Sequence, residues 1–310
     1  MRLTLRQLQI FSAIAELGST TAAAASIPLS QSATSAALAE LESLLGASLF
    51  DRVGRRLILN ETGRSLQSRA RIALNSAMEI ERDFGVGDGA KSAFLPAHIR
   101  LGASTTIGNY VMPARIARLQ REQPHIAVEM RIDNTQEVVN AVMRMEVDAG
   151  LIEGPCHAED LDVEPWGTDQ MVIVAAADHP FVALGRPAST AELRQERWLV
   201  REEGSGTREL LDHLLLPHLG GFGSCTQLGD TEAIKQATAT GLGVSCLSLC
   251  AVGDQLALGR LAVLQTALPP LTRSFYRIRH RYKTLSPALG MLLAHGEGED
   301  PWVLQANASG

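Results

Sequence analysis

The chain has 310 residues, 45% of them hydrophobic and 20% charged, with four cysteines and a formal net charge of −6. That length supports about two domains with sizeable cores, and no run of about 18 apolar residues marks a membrane span. The start of the chain carries Arg2 and Arg6 without the apolar run and cleavage site of an export signal, so a cytoplasmic protein is expected.

Cys156, Cys225, Cys246 and Cys250 fall into no CxxC pair and no His/Cys ligand spacing, so free thiols are expected, with no metal and no cofactor. The charge is unevenly placed. Between Arg52 and Arg71 lie six arginines and a single acid, Glu61, while the rest of the chain is acidic. A small basic module joined to a larger acidic domain fits that asymmetry.

Leu5, Leu8, Phe11, Ile14 and Leu17 recur every third residue and predict a first helix ending at Gly18. Ser19 caps a short second helix over Thr20–Ser26, and Pro28 breaks the chain after it. Ser30 caps a third helix reaching about Leu45, with Leu38, Leu41 and Leu45 facing inward. Two short helices, a tight break and a third helix make a helix-turn-helix. The outer face of the third helix carries Gln31, Ser32, Ser35 and Ala36, small enough for a major groove about 12 Å wide. Ser32 and Ser35 can hold phosphates or bases, and Gln31 can reach a base edge. A capped surface helix with a bland exterior is the competing explanation for that segment alone.

The stretch from Phe50 to Leu59 reads as two short strands around a glycine turn, with Arg52, Arg55 and Arg56 as a basic wing for backbone phosphate. Asn60 then caps a long helix over residues 61–84. Leu66, Ala70, Ala73, Ala77, Ile80 and Phe84 follow 4,3 spacing along it, a seam suited to pairing with a second copy. The competing explanation is a helix packed on its own module. Dimerisation would set two recognition helices about one DNA turn apart.

Residues 3–63, LTLRQLQIFSAIAELGSTTAAAASIPLSQSATSAALAELESLLGASLFDRVGRRLILNETG, resemble the N-terminal signature of LysR-type transcriptional regulators. The resemblance implies that Ser30, Gln31, Ser32 and Ser35 face double-stranded operator DNA, supported by Arg52, Arg55 and Arg56. Many relatives carry a basic residue where this chain has Ala36, so phosphate anchoring there is weaker or shifted.

Gly85 to Ala90 reads as a glycine-rich hinge. Beyond it, strands over residues 98–103, 125–132 and 149–153 alternate with helices, and the rhythm restarts at Met171 (171–177, 197–200, 226–229, 244–247, 274–281). Such alternation predicts a mainly parallel sheet in an α/β domain of two lobes. Crossing segments are expected near Trp166-Gly167 and Leu268-Pro269-Pro270. The domain plan is 1–60 for the winged helix-turn-helix, 61–93 for the dimerising helix and hinge, and 94–300 for the effector domain. Lobe I takes about 94–165 and 270–300, lobe II about 166–269. The family resemblance implies a clamshell similar to periplasmic solute-binding proteins.

Ligands of open α/β sheets sit beyond the carboxyl ends of strands, against helix N-termini. Ser104-Thr105-Thr106, Asn134-Thr135 and the 202–208 loop with Ser205, Gly206, Thr207 and Arg208 meet that description. Ordinary helix capping accounts for any one of them taken alone. The resemblance places an effector between Ser104/Thr105 and Ser205/Gly206, with Glu153 close by. A carboxylate there repels an anion unless it is paired or turned away.

The segments GASTTIGNYVMP and GLIEGP resemble a branch of the family that includes regulators of sulfite reduction and sulfur assimilation. That implies a small oxyanion effector such as sulfite or sulfate, while the resemblance to the family as a whole implies a homotetramer. An effector-driven change in the spacing or bend of the bound DNA is expected to alter contact with RNA polymerase. No nucleophile elbow, phosphate loop or helical zinc pair is present, so the chain is expected not to be an enzyme. A solute-binding protein without catalytic activity is the alternative.

Overall fold

The computed structural model describes residues 2–54, 56–83 and 98–294. The chain divides into two units, Met1–Leu95 and Pro96–Gly310, each built on its own apolar clusters.

In the first unit, α1 (Leu5–Leu17) starts on a reciprocal cap: Gln7 N donates to Thr4 Oγ1 at 3.2 Å, and Thr4 N donates to Gln7 Oε1 at 3.0 Å. Ser19 and Ser30 cap α2 (Thr20–Ser26) and α3 (Gln31–Leu45) through their hydroxyls. Leu8, Phe11 and Ile14 pack with Leu38, Leu41, Leu49 and Phe50, and the Phe11 and Phe50 rings lie 5.5 Å apart. The expected wing is an antiparallel hairpin of β1 (Phe50–Val53) and β2 (Arg56–Leu59). Leu57 N donates to Gly18 O at 2.9 Å, which ties the wing to the α1–α2 turn.

Asn60 Oδ1 accepts from Gly63 N at 2.9 Å and opens α4 (Glu61–Asp83). Leu66, Ala70, Ala73 and Leu74 on α4 pack onto the core of this same unit. The first half of the expected pairing seam is therefore spent inside the module, because packing on a small helical core demands the same 4,3 spacing as a coiled coil. Met78 and Ile80 stay exposed, at 45% and 61%. Phe84, the 85–90 hinge and Arg55 lie outside the described residues.

The second unit opens with β3 (His98–Ser104), a π-helical turn at Ile107–Val111, α5 (Met112–Glu122), β4 (Ala127–Asp133), α6 (Thr135–Met143) and β5 (Ala149–Glu153). β3 lies parallel to both β4 and β5. The 16-residue strand β6 (Leu161–Ala176) then carries the chain into the second lobe. That lobe holds α7 (Thr190–Gln195), β7 (Arg197–Val200), α8 (Gly206–Leu210), α9 (Leu216–Leu219), β8 (Ser224–Gln227), α10 (Thr231–Ala239), β9 (Ser245–Ser248), α11 (Leu249–Ala257) and β10 (Leu261–Val263). β11 (Leu271–His280) returns, and α12 (Pro287–Leu293) closes against the first lobe.

The main sheet runs β10-β6-β11-β5-β3-β4 with β9 also paired to β6, while β7 and β8 form a parallel pair. The expected mainly parallel sheet is thus mixed. β6 and β11 cross between lobes in opposite senses and lie antiparallel along Leu271↔Met171 to His280↔Leu161. β5, β9 and β10 also join these two strands antiparallel.

Trp166 and Phe275 belong to the lobe I core, Met171 and Leu271 to that of lobe II. The crossing therefore falls between those pairs, at the expected Trp166-Gly167 on β6 and a few residues past Leu268-Pro269-Pro270 on β11. Among the described residues no helix is long and apolar enough to cross a membrane.

Candidate functional site

The start of α3 and the wing share one concavity of about 320 Å³, lined by Ser19, Thr20, Thr21, Gln31, Arg52, Gly54, Arg56 and Leu57. Gln31 Nε2 donates to Ser35 Oγ at 3.0 Å and to Thr20 Oγ1 at 3.3 Å, so its amide is held at the helix surface. Ser30 and Ser32 hydroxyls lie 2.9 Å apart on the exposed first turn. Arg52 and Arg56 are exposed, and neither takes part in an ion pair among the described residues. Free guanidiniums beside a polar helix start make an anionic-backbone grip with a base-reading tip. Thr20 and Thr21 joined this surface without a sequence signal beyond their place on the second helix.

In the second unit, the residues expected at the cleft do converge where the lobes meet. Thr105 lies opposite Arg201, whose Nη2 donates to Thr105 Oγ1 at 3.4 Å. Asn134 Nδ2 donates across to Glu202 Oε1 at 3.3 Å, and Gln136 N to Gly204 O at 3.1 Å. Lys235 Nζ donates to Tyr110 OH at 3.3 Å and to Glu232 Oε2 at 2.8 Å. Arg201 completes its set with Glu202, at 2.7 and 2.8 Å, and with Thr231 Oγ1 at 2.8 Å.

Glu153 is wholly buried and paired. Ser104 Oγ donates to its Oε1 at 2.8 Å, Thr106 N to the same atom at 3.0 Å, and Thr207 Oγ1 to Oε2 at 3.1 Å. Arg273 donates to Glu153 Oε2 as well, and reaches Thr106 Oγ1 at 3.1 Å, Thr207 Oγ1 at 3.0 Å and Asp169 Oδ2 at 2.8 Å. Burial raises the Glu153 carboxyl, but Arg273 and the hydroxyls more than offset it and leave the group ionised. Burial prevails at Asp169, whose carboxyl is raised although Arg273 and Ser248 oppose. The hydroxyls of Ser104, Thr106 and Thr207 are thus engaged by this network, while Thr105 and Asn134 touch the opposite lobe.

Ser205 is buried and makes no side-chain cap for α8. A Cβ on Gly206 would stand 2.3 Å from Glu153 O, so only glycine lets α8 rest on the end of β5.

Arg201, Lys235, Tyr110, Thr231 and Arg273 were not singled out from the sequence. Arg201 directly follows β7, and Thr231 opens α10, positions that the strand-end rule could have flagged. Nothing local marks Arg273, which stands among other arginines of β11 and meets Glu153 from 120 residues away.

Residues 5–64 match the model for the bacterial regulatory helix-turn-helix protein of the lysR family, and residues 95–296 match the LysR substrate binding domain. The chain belongs to the LysR family of transcriptional regulators, with a DNA-binding helix-turn-helix and an effector-binding domain, and is not an enzyme. It is 47% identical over 293 residues to the HTH-type transcriptional regulator YeiE of Escherichia coli (strain K12), covering 94% of this chain and 97% of that one. It is 33% identical over 290 residues to a RuBisCO operon transcriptional regulator of Allochromatium vinosum, covering 94% of each.

Among solved structures, a full-length OxyR variant from Pseudomonas aeruginosa superposes with a TM-score of 0.70 at 24% identity, covering 99% of this chain and 96% of that one. Full-length CbnR in complex with its target DNA gives 0.61 at 18%, covering 94% and 97%. The Synechocystis CcmR regulatory domain, in complex with 2-PG, gives 0.58 at 28%, covering 64% and 94%. The two-lobed fold expected of the C-terminal part is the one these regulators share. The alternative of a stand-alone solute-binding protein has no support beside the N-terminal match.

Proposed function

We propose that this regulator reads operator DNA through Gln31 and the α3 serines, gripped by the wing arginines, under the control of a small oxyanion held between Arg201 and Lys235. The observation that carries the effector reading is the cleft itself. Arg201 and Lys235 are buried on one lobe, and each hydrogen-bonds a hydroxyl of the other, Thr105 and Tyr110. Two buried cations with converging hydroxyls suit a compact anion with several acceptor oxygens. The complex of the related CcmR regulatory domain with 2-PG is in keeping with this.

Of the residues expected at the cleft, Thr105 and Asn134 serve as direct contacts. Ser104, Thr106, Glu153, Ser205, Gly206 and Thr207 form the packed floor that positions them. Sulfite or sulfate is the favoured effector, on the likeness of residues 102–113 and 150–155 to regulators of sulfur assimilation. The protein acts in the cytoplasm as a homotetramer, pairing through the outer half of the 61–84 helix, where Met78 and Ile80 are exposed. Effector binding alters the relation of the two lobes, and with it the spacing of the bound DNA modules and their contact with RNA polymerase.

A thermal-shift series with sulfite, sulfate and thiosulfate, with chloride as control, tests the effector. At a hundredfold excess over Kd, a true ligand stabilises the fold by about 2.7 kcal/mol. Stabilisation by an oxyanion that Arg201→Ala abolishes is the expected result. The absence of any oxyanion response overturns the reading.

A further inference from the structure

Each cleft cation is already occupied by a carboxylate of its own lobe. Arg201 presents Nε and Nη2 to both oxygens of Glu202, at 2.7 and 2.8 Å. That fork-on-fork pairing is the one a planar or tetrahedral oxyanion would take up. Lys235 presents Nζ to Glu232 Oε2 at 2.8 Å.

The partners differ sharply in their access to water. The Arg201 and Lys235 side chains are 3% and 5% exposed, whereas those of Glu202 and Glu232 are 23% and 52% exposed. A carboxylate that swings away regains hydration at little cost, but a buried cation left without a counter-charge does not. Thr231 Oγ1 also holds Arg201 Nη1 at 2.8 Å, so the guanidinium stays in place when Glu202 leaves.

The same two acids reach across the cleft. Asn134 Nδ2 donates to Glu202 Oε1 at 3.3 Å, and Tyr110 OH to Glu232 Oε2 at 3.5 Å. Burial raises the Glu202 carboxyl, but Arg201 more than offsets that. Glu232 is held low chiefly by its bond from Lys235, so both acids are charged at neutral pH.

We infer that Glu202 and Glu232 are built-in competitors for the effector anion, occupying its two cations in the unliganded cleft and leaving for solvent when it binds. This rests on the proposed reading of the cleft as an anion site. Two consequences follow from the geometry. An anion must accept at least two hydrogen bonds from Arg201 to displace Glu202, so oxyanions with paired oxygens are selected over halides. Displacement also severs the Asn134–Glu202 and Tyr110–Glu232 ties, so occupancy of the cleft is coupled to how the lobes hold one another.

Calorimetric titration of the full chain with sulfate and with sulfite, at constant ionic strength, tests this on Glu202→Gln and Glu232→Gln. Glutamine keeps the shape and much of the hydrogen bonding but removes the competing charge. Each variant should bind the oxyanion about tenfold more tightly than the parent, because a larger fraction of the protein is competent to bind. The preference over chloride should narrow in both.

If the parent binds, Arg201→Ala does not, and neither glutamine variant gains affinity, the acids are structural and the inference falls while the anion site stands. If neither the parent nor either variant binds an oxyanion, both fall. Glu232 sits half-exposed on a helix, so its variant answers the question even where Glu202→Gln folds poorly.

Discussion

Arg273 of β11 donates to Glu153 at the carboxyl end of β5, and each side chain is 3% exposed. The pair joins the returning crossing strand to the lobe I sheet, and Thr207 of lobe II bonds both members. Removing Arg273 takes the shared cation from two buried carboxylates, Glu153 and Asp169. Arg273→Met should lower unfolding free energy by about 3–5 kcal/mol, whereas adding Glu153→Leu to it should recover part of that loss. Urea denaturation of the parent, the single and the double variant checks both statements. A single variant as stable as the parent would contradict the pairing.

Gly206 sets how closely α8 approaches β5. Gly206→Ala places a methyl group 2.3 Å from Glu153 O, backbone that cannot swing aside. The expected cost is about 1–3 kcal/mol, read as a lower thermal midpoint, with oxyanion affinity reduced alongside as Thr207 and Ser205 shift.

The DNA surface separates base reading from backbone grip. Gln31→Ala should cost about 1–3 kcal/mol on the operator and little on unrelated DNA. Arg52→Ala and Arg56→Ala should weaken both equally and lower the slope of log K against log salt by about one each. Fluorescence anisotropy across a salt series distinguishes the two patterns.

Asp148 is pinned by Lys283 Nζ at 2.6 Å and by Arg100 Nη2 at 2.8 Å. Burial raises its carboxyl, but these partners prevail and hold it below the ordinary aspartate value. A depressed carboxyl contributes stability above its unfolded value, and that contribution is lost as pH falls through the folded one. Asp148→Asn should therefore be destabilising at pH 7, with the gap to the parent closing only below about pH 4. Chemical denaturation at a series of pH values measures this; a gap that closed nearer neutrality would rule it out.

The cysteines should react unequally. Burial pushes the Cys246 thiol up to about 12 and the Cys250 thiol up to about 11, while Cys225 is exposed on β8. Iodoacetamide at about pH 8 should label Cys225 first and leave Cys246 untouched in the folded protein, as peptide mass spectrometry will read. Prompt labelling of Cys246 would mean that its site opens.

The local chemistry of this sequence determined much by itself. The caps at Thr4, Ser19, Ser30, Asn60 and Asn134, the helix periods of the first unit, and the wing around Gly54 are interactions within a few residues of chain, so their signals survive in the linear order. The strand-end rule likewise singled out Ser104-Thr105-Thr106, Asn134-Thr135 and the 202–208 loop, while it was the family resemblance that implied a cleft between them.

Only the tertiary structure decided the rest. The 4,3 pattern of α4 could not say whether Leu66 and Ala70 faced a partner or their own module, because both surfaces ask for the same spacing. Strand direction in the sheet depended on β6 and β11 crossing between lobes in opposite senses, which no local pattern encodes. Arg273 found Glu153 and Asp169 over 120 and 104 residues of chain. Charge pairing at that range leaves no trace in spacing, since burial and long-range contact, rather than neighbouring residues, fix which arginine of a strand turns inward.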